Sequence, residues 1–178
     1  MIEQLTTWTL KAMVVAWLSV GTIVGVTPKD IAVAIATASN EKPLEFKGGN
    51  NERRTAALMT AIGVFESGYK QIAGDCKDKP PGWPGCGKEE GSKPTSFCFL
   101  QVHFADGIDR VKGYTPEELM KDPLACARAG REIMRDSLKA NKDEPLFSYA
   151  GTAGPARKRY NLAIKLYEKV EWPYRCDD

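Results

Sequence analysis

Apolar residues recur at helical spacing along most of this chain, and the breaks between runs fall at residues suited to starting or stopping a helix. Ala12 to Val26 is an uncharged apolar run of 15 residues, preceded by Lys11. It is short for a helix that spans a membrane. Thr27-Pro28-Lys29-Asp30 then predicts a helix start, with threonine as cap and proline in the first turn. Ile31, Ala34, Ile35 and Ala38 mark one face of that helix, and the polar stretch 40–51 after it reads as a loop. From Glu52 to Phe65 the helical period returns, with Leu58, Ile62 and Glu66 on one stripe. Ser67-Gly68 supplies its stop, since glycine accepts the left-handed conformation found just past helix ends.

Between Gly74 and Ser96 lie four prolines, five glycines and two cysteines, which predicts a long irregular wing. The apolar run Ser96 to Phe104, interrupted by Gln101 and His103, is compatible with a strand or with the start of a buried helix. Thr115-Pro116-Glu117-Glu118 is a capping box, and Asp122-Pro123 opens a helix whose stripe is Cys126, Gly130, Ile133, Met134 and Leu138. Glu144-Pro145 begins a short segment through Tyr149. Gly154-Pro155 opens a last helix with Tyr160, Ala163, Ile164, Tyr167 and Val170 on one face, ended by Trp172-Pro173. The sum is a mainly α fold with a small irregular or β wing. The absence of βαβ alternation argues against a doubly wound sheet.

Composition narrows this further. With 178 residues, 43% hydrophobic and 27% charged, the chain has the make-up of one globular domain with some extra length. We divide it into an N-terminal segment, residues 1–26, and a domain, residues 27–178. For the N-terminal segment the sequence favours an export or anchor role over a helix packed on the domain. A net charge of +2 gives no argument for a nucleic-acid partner. Arg157, Lys158, Arg159, Lys165 and Lys169 are expected on a solvated helix face.

Five cysteines, at 76, 86, 98, 126 and 176, contain no CxxC spacing, and one histidine cannot complete a His-rich metal centre. Disulfides in an oxidising compartment fit better. Two bridges can be drawn from five cysteines in fifteen ways. Cys76 with Cys86 would close a short loop, Cys98 with Cys126 would tie an apolar segment to a helix, and Cys176 would be left over.

Glu66 is the residue with the clearest chemical interest. A carboxyl on an apolar stripe resists ionisation, which is what a general acid needs near neutral pH. The competing account is a structural glutamate at a helix end, paired with a nearby arginine.

Three separated segments, Glu66-Ser67-Gly68-Tyr69, Phe99-Leu100-Gln101-Val102 and Tyr149-Ala150-Gly151 before a final apolar helix, occur in a telling order. Over roughly residues 27 to 172 this order resembles the lysozyme-like lytic transglycosylases of the soluble lytic type. Their pattern is a catalytic Glu followed by Ser, a Gly-Leu-Met-Gln-like segment, and Tyr-Asn-Ala-Gly before the last helix. This chain departs from it at Cys98 and Phe99, and at Ala150, which follows Tyr149 where the family has Asn.

The resemblance implies a lysozyme-like fold and cleavage of the β-1,4 bond between N-acetylmuramic acid and N-acetylglucosamine, with no metal and no cofactor. Glu66 would act first as acid and then as base while the sugar's own 6-hydroxyl closes a 1,6-anhydro ring. Ser67, Gln101 and Tyr149 would contact substrate. A hydrolytic muramidase would need a second carboxylate about 5–9 Å away, for which Asp75 is the candidate; otherwise Asp75 is a turn residue. Trp83 is a candidate subsite wall or a space-filling residue of the wing, and His103 is expected to be a surface or satisfied core residue rather than a catalyst.

A third account is a non-catalytic, glycan-binding scaffold in an envelope or virion assembly. The implied partner is the glycan strand of peptidoglycan, with membrane contact through residues 12–26. The implied location is extracytoplasmic, in periplasm or envelope, or virion-associated for a phage-encoded protein.

Overall fold

The computed structural model describes residues 1–17, 25–77, 83–86, 94–104, 113–140, 146, 149 and 153–173. Cys176, Ala150, Gly151 and much of the proline-rich wing lie outside them. Helices α1 (Ile2–Trp17), α2 (Pro28–Glu41) and α3 (Asn51–Glu66) precede a two-stranded antiparallel sheet, β1 (Ser96–Phe97) with β2 (Val102–His103). Helices α4 (Pro116–Lys121), α5 (Pro123–Ala140) and α6 (Ala153–Lys169) follow. The protein is mainly α with a small β wing, as the periodicity predicts.

Local chemistry sets the helix starts. Before α2, the Asp30 N–H donates to the Thr27 hydroxyl at 3.2 Å and the Thr27 N–H to the Asp30 carboxylate at 3.1 Å. Thr115 and Glu118 repeat this reciprocal capping ahead of α4. Asp122 accepts the Leu124 N–H at 2.8 Å, which starts α5 straight after α4 ends.

α3 is the central helix. Every residue from Thr55 to Val64 is buried, because α6, α1 and α2 pack around it. The stripe expected from the sequence is therefore too narrow a description, since this helix is enclosed on all sides. Small residues permit the enclosure. A Cβ at Gly63 would sit 2.8 and 2.9 Å from ring carbons of Tyr69, whose hydroxyl donates to the Thr60 carbonyl at 2.8 Å. Gly63→Ala gains about 1 kcal/mol of helix propensity but must displace a fully buried ring, so we expect a net loss of about 1–2 kcal/mol in a urea titration.

In the N-terminal segment the described residues take the packed-helix form, and residues 18–24 of its apolar run lie outside them. Residues 2–17 form a core helix, with Leu5, Trp8, Ala12 and Met13 buried against α2 and α3. The Trp8 indole N–H donates to the Val170 carbonyl at 2.9 Å, just past α6. Arg53 donates to the Tyr167 and Val170 carbonyls at 2.6 and 2.8 Å, so both side chains satisfy orphan acceptors at the α6 C-terminus. Among the described residues, no helix is long and apolar enough to cross a membrane. Trp8, Leu5 and the polar but buried Thr9 lie upstream of the apolar run.

Of the two readings of the run from Ser96 to Phe104, the structure takes the strand, as two short strands of one hairpin rather than a helix start. Ser96 pairs with His103 and Phe97 with Val102, and residues 98–101 make a tight tip. Cys98 and Gln101 both take positive φ there, 60° and 51°. The tip points its two apolar side chains into the helices: Phe99 and Leu100 are fully buried. Leu100 lies where a Cβ on Gly130 of α5 would be, 2.4 Å from its Cδ1. Disulfides join Cys98 to Cys126 and Cys76 to Cys86. The first ties the hairpin tip to α5 and the second closes the start of the wing.

Candidate active site

Glu66 is the last residue of α3, where the helix leaves the core. Its side chain is 17% exposed, and its Oε1 accepts the Nε–H of Arg159 on α6 at 2.8 Å. Two opposed influences act on the carboxyl. Burial disfavours its charge, and the Arg159 guanidinium favours it. Burial is the larger, so Glu66 ionises above its ordinary range. Both accounts of Glu66 drawn from the sequence thus hold geometrically, because it is a buried carboxyl and it is paired with an arginine.

The chain after Glu66 turns sharply. Gly68 and Tyr69 are both left-handed, at φ 60° and 61°, and the Gly68 N–H reaches back to the Val64 carbonyl at 3.2 Å. This turn buries Ser67, whose hydroxyl donates to the Phe99 carbonyl at 2.8 Å and accepts the Lys70 N–H at 3.1 Å. Ser67 is therefore a strut between the Glu66 helix end and the hairpin tip, and in this structure its hydroxyl is committed to those bonds rather than turned to a ligand.

Tyr149 completes the cluster. Its hydroxyl donates to the Leu100 carbonyl, and its backbone N–H donates to the Ser137 hydroxyl at 3.1 Å. Burial pushes its ionisation well above the ordinary range. The nearby Glu66 charge adds to this, and Arg159 partly offsets it. The three segments singled out in the sequence thus meet, with Glu66-Ser67 and Tyr149 each linked to the 98–101 tip.

Gln101 sits at that tip, half-buried, with its Nε2 donating to the Cys98 carbonyl at 3.2 Å. Asp75 accepts the Lys77 N–H at 3.3 Å, the Asx-turn geometry of a turn residue. His103 is exposed and faces the Ser96 hydroxyl at 3.1 Å, as expected of a surface residue. Trp83 is half-buried, with the Lys70 ammonium 5.5 Å from its ring centroid.

Arg159 is the residue that sequence reasoning placed wrongly. It was expected on a solvated face, yet its side chain is 13% exposed. Besides Glu66 it reaches the Pro155 carbonyl at 3.0 Å, and its guanidinium lies 5.5 Å from the Phe65 ring centroid. Its neighbours Arg157 and Lys158 are exposed, so the basic run hides an inward residue one position further on.

A separate groove of about 280 Å³ runs between α3 and α6, walled by Arg54, Leu58, Tyr160, Ile164 and Tyr167 among others. Glu66 is not in its wall, so this groove and the carboxyl chemistry lie in different places. The groove has polar groups of its own, since the Asn50 amide donates to the Tyr167 hydroxyl at 3.3 Å and the Arg54 guanidinium lies 4.9 Å from the Tyr167 ring centroid, but the segments that carry the resemblance meet at Glu66. Among the described residues, no three His, Cys, Asp or Glu side chains gather to hold a metal ion.

The fold and site define a mainly α domain with a partly buried carboxyl at a helix end, stapled by two disulfides of the kind formed in oxidising compartments. Compared with known proteins, the chain matches no family model, no curated protein and no solved structure.

The raised Glu66 ionisation has a consequence for stability. The folded protein holds this proton more tightly than the unfolded chain, so the associated stability is complete below the ordinary value of 4.5. It is lost as pH rises from there through the folded midpoint. Unfolding midpoints measured from pH 4 upward should fall more steeply for wild type than for Glu66→Gln.

Proposed function

We propose that the protein is a peptidoglycan lytic transglycosylase that cleaves the β-1,4 bond between N-acetylmuramic acid and N-acetylglucosamine with Glu66 as its single catalytic carboxyl. One observation carries this reading: Glu66, the 98–101 tip and Tyr149, far apart in sequence, meet in the family's order around a carboxyl whose ionisation is raised.

Protonated Glu66 donates to the glycosidic oxygen as the bond to C1 breaks. The resulting carboxylate then takes the proton from the sugar's 6-hydroxyl as that oxygen closes on C1. Burial favours the acid form and Arg159 favours the base form, so both states of one group have support in the site. Tyr149 and Ser67 hold the helix end and the tip in register. Gln101 and the Tyr149 ring face the sugar.

The Asx turn at Asp75 weighs against the hydrolytic alternative, which would use that residue as a second carboxylate. Asp75→Asn should leave cleavage within about twofold of wild type, whereas a hydrolase using it would lose most of its rate. The Glu66–Arg159 pair is the observation that favours the non-catalytic, glycan-binding scaffold, since an ion pair is also a structural device.

Mass spectrometry of digested peptidoglycan decides among the three. Anhydro-muropeptides support the transglycosylase, reducing ends support the hydrolase, and bound but uncut glycan supports the scaffold. The disulfides fit an extracytoplasmic setting, which we narrow to the periplasm or cell envelope, or to a virion if the chain is phage-encoded.

A further inference from the structure

We propose that a carboxylate of the substrate draws Arg159 away from Glu66, and that this exchange of partners converts Glu66 into the acid of the first step. The inference rests on the transglycosylase reading and adds to it which part of the glycan the site recognises.

The argument is one of charge balance. A guanidinium remains a cation throughout the working pH range. Arg159 is 13% exposed and, among the described residues, Glu66 is the carboxylate paired with it. If Glu66 took up a proton with Arg159 in place, the guanidinium would keep the Pro155 carbonyl and lose its counter-ion. Leaving a charge that buried without a partner is costly. The two requirements of the chemistry, a proton on Glu66 and Arg159 at 2.8 Å from it, therefore oppose each other.

Among the described residues, the neighbouring elements offer no replacement anion. From the segment before α6 comes Tyr149, which is held neutral and whose hydroxyl donates to Leu100. From the turn after α3 comes Lys70, a second cation, donating to the Ser67 carbonyl at 3.1 Å. The hairpin tip, residues 98–101, carries no acidic side chain, and Asp75 is turned to the Lys77 N–H.

A route outward exists. The Phe65 ring beside Arg159 is 45% exposed, and a guanidinium can slide over an aromatic face while its charge stays partly stabilised. The missing anion then comes from the ligand. On the glycan, N-acetylmuramic acid bears a lactyl ether that ends in a carboxylate or in a peptide with carboxylates of its own, and N-acetylglucosamine bears neither. As the pair opens, Glu66 takes up a proton from solvent and gives it to the leaving oxygen. It then recovers a proton from the 6-hydroxyl and returns it to solvent when product leaves and the pair with Arg159 re-forms, so no net proton is consumed.

The test is a carbon-13 NMR titration of the Glu66 carboxyl in the full chain with three oligosaccharides. One alternates N-acetylglucosamine with N-acetylmuramic acid bearing free lactyl carboxylates. The second carries the same lactyl groups as peptide amides, and the third is an N-acetylglucosamine oligomer. An acidic oligosaccharide should raise the Glu66 midpoint by about one pH unit or more, and the neutral oligomer should leave it in place. Which of the two acidic ligands does so identifies the lactyl or the peptide carboxylate as the source.

In Arg159→Gln the ligand-dependent shift should vanish, and the Kd ratio of neutral to acidic ligand should fall from about tenfold or more to near one. Arg159→Lys, which keeps the charge, should retain part of both. The proposal is overturned if no acidic ligand binds or moves the wild-type midpoint, or if folded Arg159→Gln keeps the Kd ratio. Should Arg159→Gln fail to fold, the wild-type and Arg159→Lys titrations decide. A shift in midpoint without any cleavage of peptidoglycan would sink the transglycosylase reading and leave the partner exchange standing.

Discussion

Glu66→Gln should reduce the release of anhydro-muropeptides by about 10²–10⁴-fold, the usual contribution of a positioned acid–base group. It should do so without unfolding the protein. Glutamine has nearly the shape of a protonated glutamate, and burial already tilts Glu66 toward that neutral form. At neutral pH the variant should remain folded, because removing the buried carboxylate charge offsets the cost of leaving Arg159 without its counter-ion. Activity and unfolding midpoints measured on the same preparations separate this outcome from plain misfolding. If cleavage survives at full rate in the folded variant, Glu66 is not the catalytic group.

Trp8→Ala should cost about 3–5 kcal/mol, the range for truncating a buried aromatic. For a chain of 178 residues that corresponds to a fall in Tm of about 6–20 °C. Trp8 is wholly buried and donates to the Val170 carbonyl. It also lies 5.1 Å from the Arg53 guanidinium and 6.5 Å from the Trp172 ring. Its loss therefore opens a cavity and strips a donor from the end of α6, which bears Arg159. Val15→Ala, at a position 53% exposed on the same helix, should change stability by about 0.5 kcal/mol or less. Equal effects of the two substitutions, read by thermal denaturation, would mean that α1 is not part of the core.

The contrast between those two positions also shows how much the sequence could reveal. Capping residues act over three or four positions, so Thr27 with Asp30 and Thr115 with Glu118 announced their helices. The order of Glu66, the Phe99–Val102 segment and Tyr149 was legible because those residue types are distinctive. Their meeting was not, since it depends on carbonyls of Phe99 and Leu100 that no side-chain pattern encodes. Ser67 looked like a ligand contact for the same reason.

Arg159 escaped notice because charge runs are read by composition, whereas facing is set by helix phase. A residue 100° round the helix from Lys158 meets a different environment. The apolar residues of the N-terminal helix invite two explanations from sequence, and the packing of Trp8 under α6 is a tertiary contact that sequence does not display. The disulfide pairs Cys76–Cys86 and Cys98–Cys126 were among fifteen arrangements, and tertiary contacts select them.

The bridge from Cys98 to Cys126 also makes the cluster sensitive to its redox surroundings. Its hairpin tip supplies the two carbonyls that hold Ser67 and Tyr149 about the Glu66 helix end. With those thiols reduced, the tip keeps its short ladder, its buried side chains and its hydrogen bonds to Ser67, Tyr149 and Ala73, but loses its covalent tie to α5. The bridge thereby couples the rigidity of the cluster around Glu66 to the redox state of two sulfurs.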